Sequence, residues 1–430
     1  MILCYSEKKT EREMLSMKYI VIGAGSRGMI YGSLARDRGI EITAIADKRP
    51  DRLANAGIQL KVPREMLFSR AEDLLSLEKM ADAAIIATQD RDHYGHVMLA
   101  LDKGYDVLLE KPISPDPKEC LAIEEKARHL GRKVTVCHVL RYTNFFMKIK
   151  EILDSGELGK IVAIKHSENI GNFHMAHSFV RGNWAKEADS APIILAKSCH
   201  DLDILLWLTD SRCTKVAAFG SLSYFKESNA PESAGQRCWD CPAAEMCRFE
   251  AKKMYLPVLG QWPADIVCVE QTEKALMEAL KTGPYGRCVY RCGNDVCDHM
   301  SMILEFENGV TATFSLTGQT SACHRHIHIM CEDGEIEADD GAKLITVRKH
   351  VSSQADTFEE RHIHVRTNGT GHGGGDAGIL EDFTKGLQQG GDSRTSISRS
   401  VESHLMAFAL EKSRMTGTVV DMESYRASLK

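Results

Sequence analysis

Lys18-Tyr19-Ile20-Val21-Ile22-Gly23-Ala24-Gly25-Ser26-Arg27-Gly28 joins a short β-branched run to three spaced glycines, and a helix-compatible stretch continues to about Arg38. Strand, glycine turn and helix in that order suit a dinucleotide. Gly23 permits the tight turn, Gly25 lets the backbone approach a pyrophosphate, and Gly28 lets the helix pack on the strand. Ser26 and Arg27 sit in the first helical turn, whose N–H groups face the phosphates. A second apolar run, Ile42–Ala46, ends in Asp47, about 20 residues beyond the glycines, where a carboxylate accepts from the adenosine ribose hydroxyls. Lys48 and Arg49 follow it, so NAD is favoured by Asp47 while NADP stays open.

Further strand-like runs at Ala83–Ala87, Asp106–Leu109 and Lys133–Cys137 alternate with helical patterns near 93–103 and 116–130. Alternation of this kind predicts an α/β fold with a doubly wound parallel sheet. Ligands of such sheets bind at the carboxyl ends of the strands, where Thr88, Asp90, Glu110 and Lys111 fall, with His93 just beyond.

With 430 residues the chain exceeds one ordinary core. A composition of 43% hydrophobic and 27% charged residues excludes a largely disordered protein. The net charge of −6, evenly mixed, offers no basic field for nucleic acid or an anionic membrane. No window of about 18 apolar residues occurs, and Met1–Ser16 is charged without a signal-peptide core, so a cytoplasmic protein with a poorly ordered N-terminal extension is expected. The 14 cysteines are read in that setting mainly as small buried hydrophobes.

The glycine motif, Ala87-Thr88-Gln89-Asp90 with His93, and Glu110-Lys111-Pro112-Ile113-Ser114 together resemble the Gfo/Idh/MocA oxidoreductase family. The resemblance implies a Rossmann domain over 17–140 and, over 141–430, an α/β substrate and oligomerisation domain with a large, mostly antiparallel sheet. It also implies hydride transfer between NAD(P) and a hydroxyl-bearing carbon of a sugar or polyol. Carried over by residue, Glu110 reaches the nicotinamide ribose and Lys111 the reacting hydroxyl. The segment Ile193–Leu208 matches the family's catalytic helix, with His200 as proton carrier, a role its ordinary pKa suits. Where the family often has an aspartate four residues before this histidine, Ala196 stands here, followed by Lys197, a candidate substrate ligand or second proton carrier. An NAD-dependent glycosidase acting by transient oxidation and elimination, a reductase running the hydride the other way, and a non-catalytic dinucleotide-binding regulator stay open beside a dehydrogenase.

Tyr142, His177, Arg181 and Trp184, on or near a loop rich in glycine and asparagine, are candidate sugar contacts. An insertion at about 224–300 contains Cys238, Cys241 and Cys247, with Cys288 further on; the Cys-x2-Cys spacing suits a structural zinc. After residue 300, alternating runs with Asn308-Gly309 and Asp333-Gly334 turns predict antiparallel hairpins, with His324, His326 and His328 on one half-exposed face. Asp376, after Gly371-His372-Gly373-Gly374-Gly375, is expected to cap a helix. A broad sheet with one face to cover points to a homo-oligomer.

Overall fold

The computed structural model describes residues 17–354, 357–367 and 371–430, so the expectation for residues 1–16 lies outside the described residues. The chain divides into two compact units. One comprises the described residues to Met147 together with Thr367–Leu405 and the last two residues; the other comprises Lys148–Arg366 and Met406–Ser428. A late segment thus returns to the first unit. Apolar spacing explains the return: helix Gly375–Gln389 buries Ile379, Leu380 and Phe383 in one cluster with Tyr19, Val21 and Tyr31.

In the first unit, strands β1 (Lys18–Ile22), β2 (Glu41–Ala46), β3 (Leu67–Phe68), β4 (Ala83–Ile86), β5 (Asp106–Leu109) and β6 (Val134–Val136) form a parallel sheet in the order β3-β2-β1-β4-β5-β6. Residues of β1 and β4 are buried on both faces, as a sheet covered by helices requires. Helices α1 (Ser26–Asp37), α2 (His93–Asp102) and α3 (Pro117–Leu130) supply crossovers. The strand order reverses between β1 and β4, which places the Gly23–Gly28 turn at the switch point of the sheet.

The second unit is built on a nine-stranded sheet of β7 (Ile161–Asn169), β8 (Cys213–Ser221), β9 (His299–Phe306), β10 (Thr311–Thr317), β11 (His324–Cys331), β12 (Gly334–Asp339), β13 (Leu344–His350), β14 (Phe358–His364) and β15 (Val420–Asp421). Its order is β14-β13-β12-β11-β7-β10-β9-β8-β15, antiparallel throughout except where β7 pairs with β10. Both expected hairpins form, β9 with β10 and β11 with β12. Along β11, His324, His326 and His328 are half-buried on one face while Arg325, Ile327 and Ile329 point inward. The residues between β8 and β9 carry a small core of their own around Tyr255, Leu276 and Leu280. Among the described residues, no helix is long and apolar enough to cross a membrane.

Candidate active site

Each unit holds its own group of candidate side chains. In the first, the three glycines play separable parts. Gly23 has φ +92°, and a Cβ there would meet the Ala87 carbonyl at 2.5 Å. A Cβ on Gly28 would lie 1.9 Å from the Gly23 carbonyl oxygen, so only glycine lets α1 close on the turn. Gly25 differs: a Cβ there would find only Arg52 Nη1, at 3.7 Å, and the space beside the turn is open. Behind it α1 begins with no side-chain cap and no acidic residue in its first turn. An open cradle facing uncapped N–H groups fits a dinucleotide pyrophosphate.

Asp47 stands at the end of β2, where its carboxylate accepts from the backbone N–H of Ala24 at 2.7 Å and of Arg49 at 2.8 Å. It therefore braces the glycine turn. The two cations beside it are partnered, Lys48 with Asp92 at 3.4 Å and Arg49 with Asp51 at 2.5 Å.

Arg27 turns away from solvent. Its Nε donates to Glu110 Oε1 at 2.7 Å, its Nη2 to Asp376 Oδ1 at 2.6 Å and to the Tyr31 hydroxyl at 2.5 Å. Glu110 Oε2 accepts from the Lys111 backbone N–H at 3.0 Å, so one carboxylate ties the glycine turn to the strand end that presents Lys111. Burial alone raises the Asp376 carboxyl, but His372 and Arg27 outweigh it and hold the group well below the usual carboxylate range. Asp376 is not the helix cap expected of it. Gly374 occupies that position, and the carboxylate is spent on Arg27.

Two histidines fix the loop behind Lys111. His93 is buried, with Nδ1 2.7 Å from the Pro112 carbonyl and Nε2 3.2 Å from that of Thr88, so it clasps two strand ends. His404, a residue the sequence did not single out, accepts from the Ile113 N–H at 2.9 Å. Asp90 is buried as well, while Thr88 and Lys111 are partly exposed. Ser26 is exposed at the start of α1.

In the second unit, α4 (Cys199–Thr209) follows a short helix, Ile193–Ala196, and Lys197 lies at the junction. Lys197 Nζ is 3.1 Å from Glu168 Oε1, and Arg325 Nη2 is 2.5 Å from Glu168 Oε2. Arg325 also donates to Asp201 at 2.7 Å, and His166 Nε2 meets the same Asp201 oxygen at 2.8 Å. Burial would raise Asp201, but Arg325 and His166 overcome it and keep the carboxyl well below its ordinary value. His200 is buried in the first turn of α4, one position from this network.

Three of the expected sugar contacts are buried among the protein's own groups. Tyr142 lies in the core of the first unit and its hydroxyl donates to Asp382 at 2.7 Å. His177 stacks on Tyr285 at 4.8 Å and its Nδ1 is 3.1 Å from the Tyr255 hydroxyl; burial, with Arg181, lowers its pKa to about 4. Arg181 is buried and donates to the carbonyls of Arg287 and Phe249 at 2.8 and 2.7 Å. All three are interior polar groups satisfied by neighbours. Trp184 alone of the four stays partly exposed.

The zinc expectation is also corrected. Cys238, Cys241, Cys247 and Cys288 line one cavity of about 20 Å3 with Arg181. Yet among the described residues no group of three or more His, Cys, Asp or Glu is placed to hold a metal ion. Burial pushes the Cys238 and Cys288 thiols up, which suits neutral interior groups.

Two family models match the chain. The model described as "Oxidoreductase family, NAD-binding Rossmann fold" matches residues 17–138, and that described as "Oxidoreductase family, C-terminal alpha/beta domain" matches 150–422. The chain belongs to the Gfo/Idh/MocA oxidoreductase family. Oxidoreductase YteT of Bacillus subtilis is 25% identical over 361 residues, covering 80% of this chain and 82% of that protein. Inositol 2-dehydrogenase of Corynebacterium glutamicum strain R is 27% identical over 204 residues, 47% of this chain and 56% of its own length. Levoglucosan dehydrogenase in complex with NADH has the same fold, with a TM-score of 0.71 at 17% identity over 94% of this chain and 99% of that one. An Agrobacterium radiobacter oxidoreductase solved with NAD+, L-tartaric acid and magnesium gives 0.67 at 16% identity over 95% and 99%.

Proposed function

We propose that this family member is a dehydrogenase that moves hydride between NAD and a hydroxyl-bearing carbon of a sugar, polyol or close derivative. The open cradle at Gly25, facing an uncapped helix start, carries the dinucleotide half of this reading. Gly23, Gly25, Ser26 and Gly28 would hold the pyrophosphate, Asp47 the adenosine ribose, and Thr88, Glu110 and Lys111 the nicotinamide end. NAD is favoured over NADP because Asp47 opposes a 2′-phosphate and both nearby cations are already partnered. When bound, the nicotinamide supplies the two-electron acceptor or donor.

The chain's own residues handle the proton. His200 takes it from the substrate hydroxyl and Lys197 donates to a substrate oxygen, with Lys111 a further candidate proton carrier. Sugar and polyol substrates are supported by the relatives, among them inositol 2-dehydrogenase and levoglucosan dehydrogenase. The test is absorbance in the NADH band on adding NAD with a panel of cyclic polyols and sugars. Turnover-dependent growth that is lost in His200→Ala supports the proposal. Release of nitrophenol from aryl glycosides without net NADH would replace it with the glycosidase reading.

A further inference from the structure

Glu168 is a fully buried carboxylate on β7, and its register partner across the antiparallel pair is Arg325 of β11. Lys197 reaches its other oxygen. Both contacts are ion pairs, at 3.1 and 2.5 Å. The cluster then continues through Arg325 to Asp201 and His166. Side-chain exposure is 0% for Glu168, Asp201 and His166, 11% for Arg325 and 15% for Lys197, so Lys197 is the most exposed of the five side chains.

Counting charge decides what Lys197 can do. Glu168 and Asp201 bring two buried negative charges, and Arg325 offsets one of them. Asp201 has a second partner of its own in His166 Nε2, at 2.8 Å. Asp340 accepts from the Arg325 backbone N–H and adds no cation. Cys323, whose thiol is held above its ordinary value, adds no charge. The remaining negative charge falls to Lys197, and a neutral amine there would strand a buried carboxylate.

We propose that Glu168 is a positioning residue that holds Lys197 as a permanent ammonium donor to the substrate, leaving His200 as the proton acceptor. This deepens the dehydrogenase reading and rests on its placing Lys197 at the substrate. An ammonium has three N–H donors and no lone pair, so it can steady a hydroxyl or a developing alkoxide but cannot remove a proton.

Two experiments on the full-length protein test it. In turnover with NAD and the best polyol found, Lys197→Arg, which keeps a donor that never acts as base, should lose about tenfold in kcat/KM, and Lys197→Met about a thousandfold, with the basic limb of the pH profile retained in Lys197→Arg. Equal loss in both, with wild-type NAD affinity and Tm, overturns the division of roles. The second experiment needs no turnover. Trace acetylation followed by peptide mass spectrometry should show Lys197 reacting about tenfold faster at neutral pH in Glu168→Gln than in the wild type, because the neutral amide no longer requires a cation. Unchanged reactivity in a variant with a wild-type Tm overturns the positioning role. A wild type that turns over no polyol or sugar removes the dehydrogenase reading, while the acetylation ratio still decides the pairing.

Discussion

Arg27 Nη2 stands 2.6 Å from Asp376 Oδ1, a contact between residues 349 positions apart that joins the glycine turn to the helix returning late in the chain. Because Glu110 and Tyr31 hold the same guanidinium, removing the Asp376 charge loosens the whole brace. Asp376→Asn should cost about 2–3 kcal/mol by urea unfolding, below the range for a fully buried pair because Arg27 keeps some solvent contact. Calorimetric NAD affinity should fall about tenfold as Arg27 and Glu110 shift. Unchanged affinity would show that the brace serves stability alone.

The carboxyl of Asp376 is held below its unfolded value, which fixes the sign of its linkage. Its contribution is complete above the ordinary aspartate range and is lost as pH falls toward the folded value. Unfolding midpoints of wild type and Asp376→Asn should therefore converge on acidification below about pH 4. Parallel curves down to the acid transition would contradict the pairing.

His177 gives a pH dependence in a different window. Burial, then Arg181, lowers its pKa from 6.5 to about 4, so between those values the unfolded chain binds a proton that the folded chain refuses. Stability from this group is full above pH 6.5, declines as pH drops toward 4 and levels off below it, a difference of up to about 3 kcal/mol. His177→Phe, which keeps the stack on Tyr285, should flatten that part of the curve in urea titrations from pH 4 to 7. It should leave KM for the polyol unchanged. A raised KM would return His177 to the substrate list.

How far the sequence revealed this architecture follows from what local patterns encode. Strand and helix period, together with glycine spacing, specified the parallel sheet and its turn, since those depend on neighbours in the chain. The Glu168-Arg325-Asp201 network depends on pairing across strands, yet a signal was present. His324, His326 and His328 share the half-exposed face of β11, which forces Arg325 inward beside Ile327 and Ile329; an arginine at a core position demands a buried carboxylate. Ile164, His166 and Glu168 repeat the pattern on β7. The burial of Tyr142, His177 and Arg181 was not legible because a polar residue near a glycine-rich loop looks the same whether it faces substrate or satisfies an interior carbonyl. Only Asp382, Tyr255 and Arg287, brought near by folding, distinguish the two.

Tyr142 offers the direct check of that distinction. Its hydroxyl donates to Asp382 and lies 3.2 Å from Thr395 inside the first unit. Tyr142→Phe should cost about 1 kcal/mol, the loss of one hydrogen bond to a half-buried carboxylate that keeps the Arg394 backbone N–H at 2.8 Å. Steady-state kinetics should show KM for polyol within about twofold of wild type, the scatter expected for a residue off the substrate. A tenfold rise would place the hydroxyl at the substrate after all.

The glycines separate folding from binding within one short turn. Gly28→Ala puts a methyl 1.9 Å from the Gly23 carbonyl oxygen, a backbone clash that no side-chain rotation relieves. That variant should lose several kcal/mol and give little soluble protein, since overpacking of this severity exceeds the usual cost of about 1–3 kcal/mol. Gly25→Ala meets no such obstacle: the backbone at Gly25, φ −73° and ψ −172°, is open to any residue, and the new methyl points into free space. Its Tm should match or slightly exceed the wild type, because alanine narrows the unfolded ensemble. NAD affinity should nevertheless fall about a hundredfold, since the methyl occupies the ground on which the pyrophosphate approaches the backbone. Thermal unfolding and calorimetric titration of the two variants side by side give the answer. A Gly25→Ala protein that binds NAD as the wild type does would mean that the phosphates rest elsewhere on the sheet edge, whatever its stability.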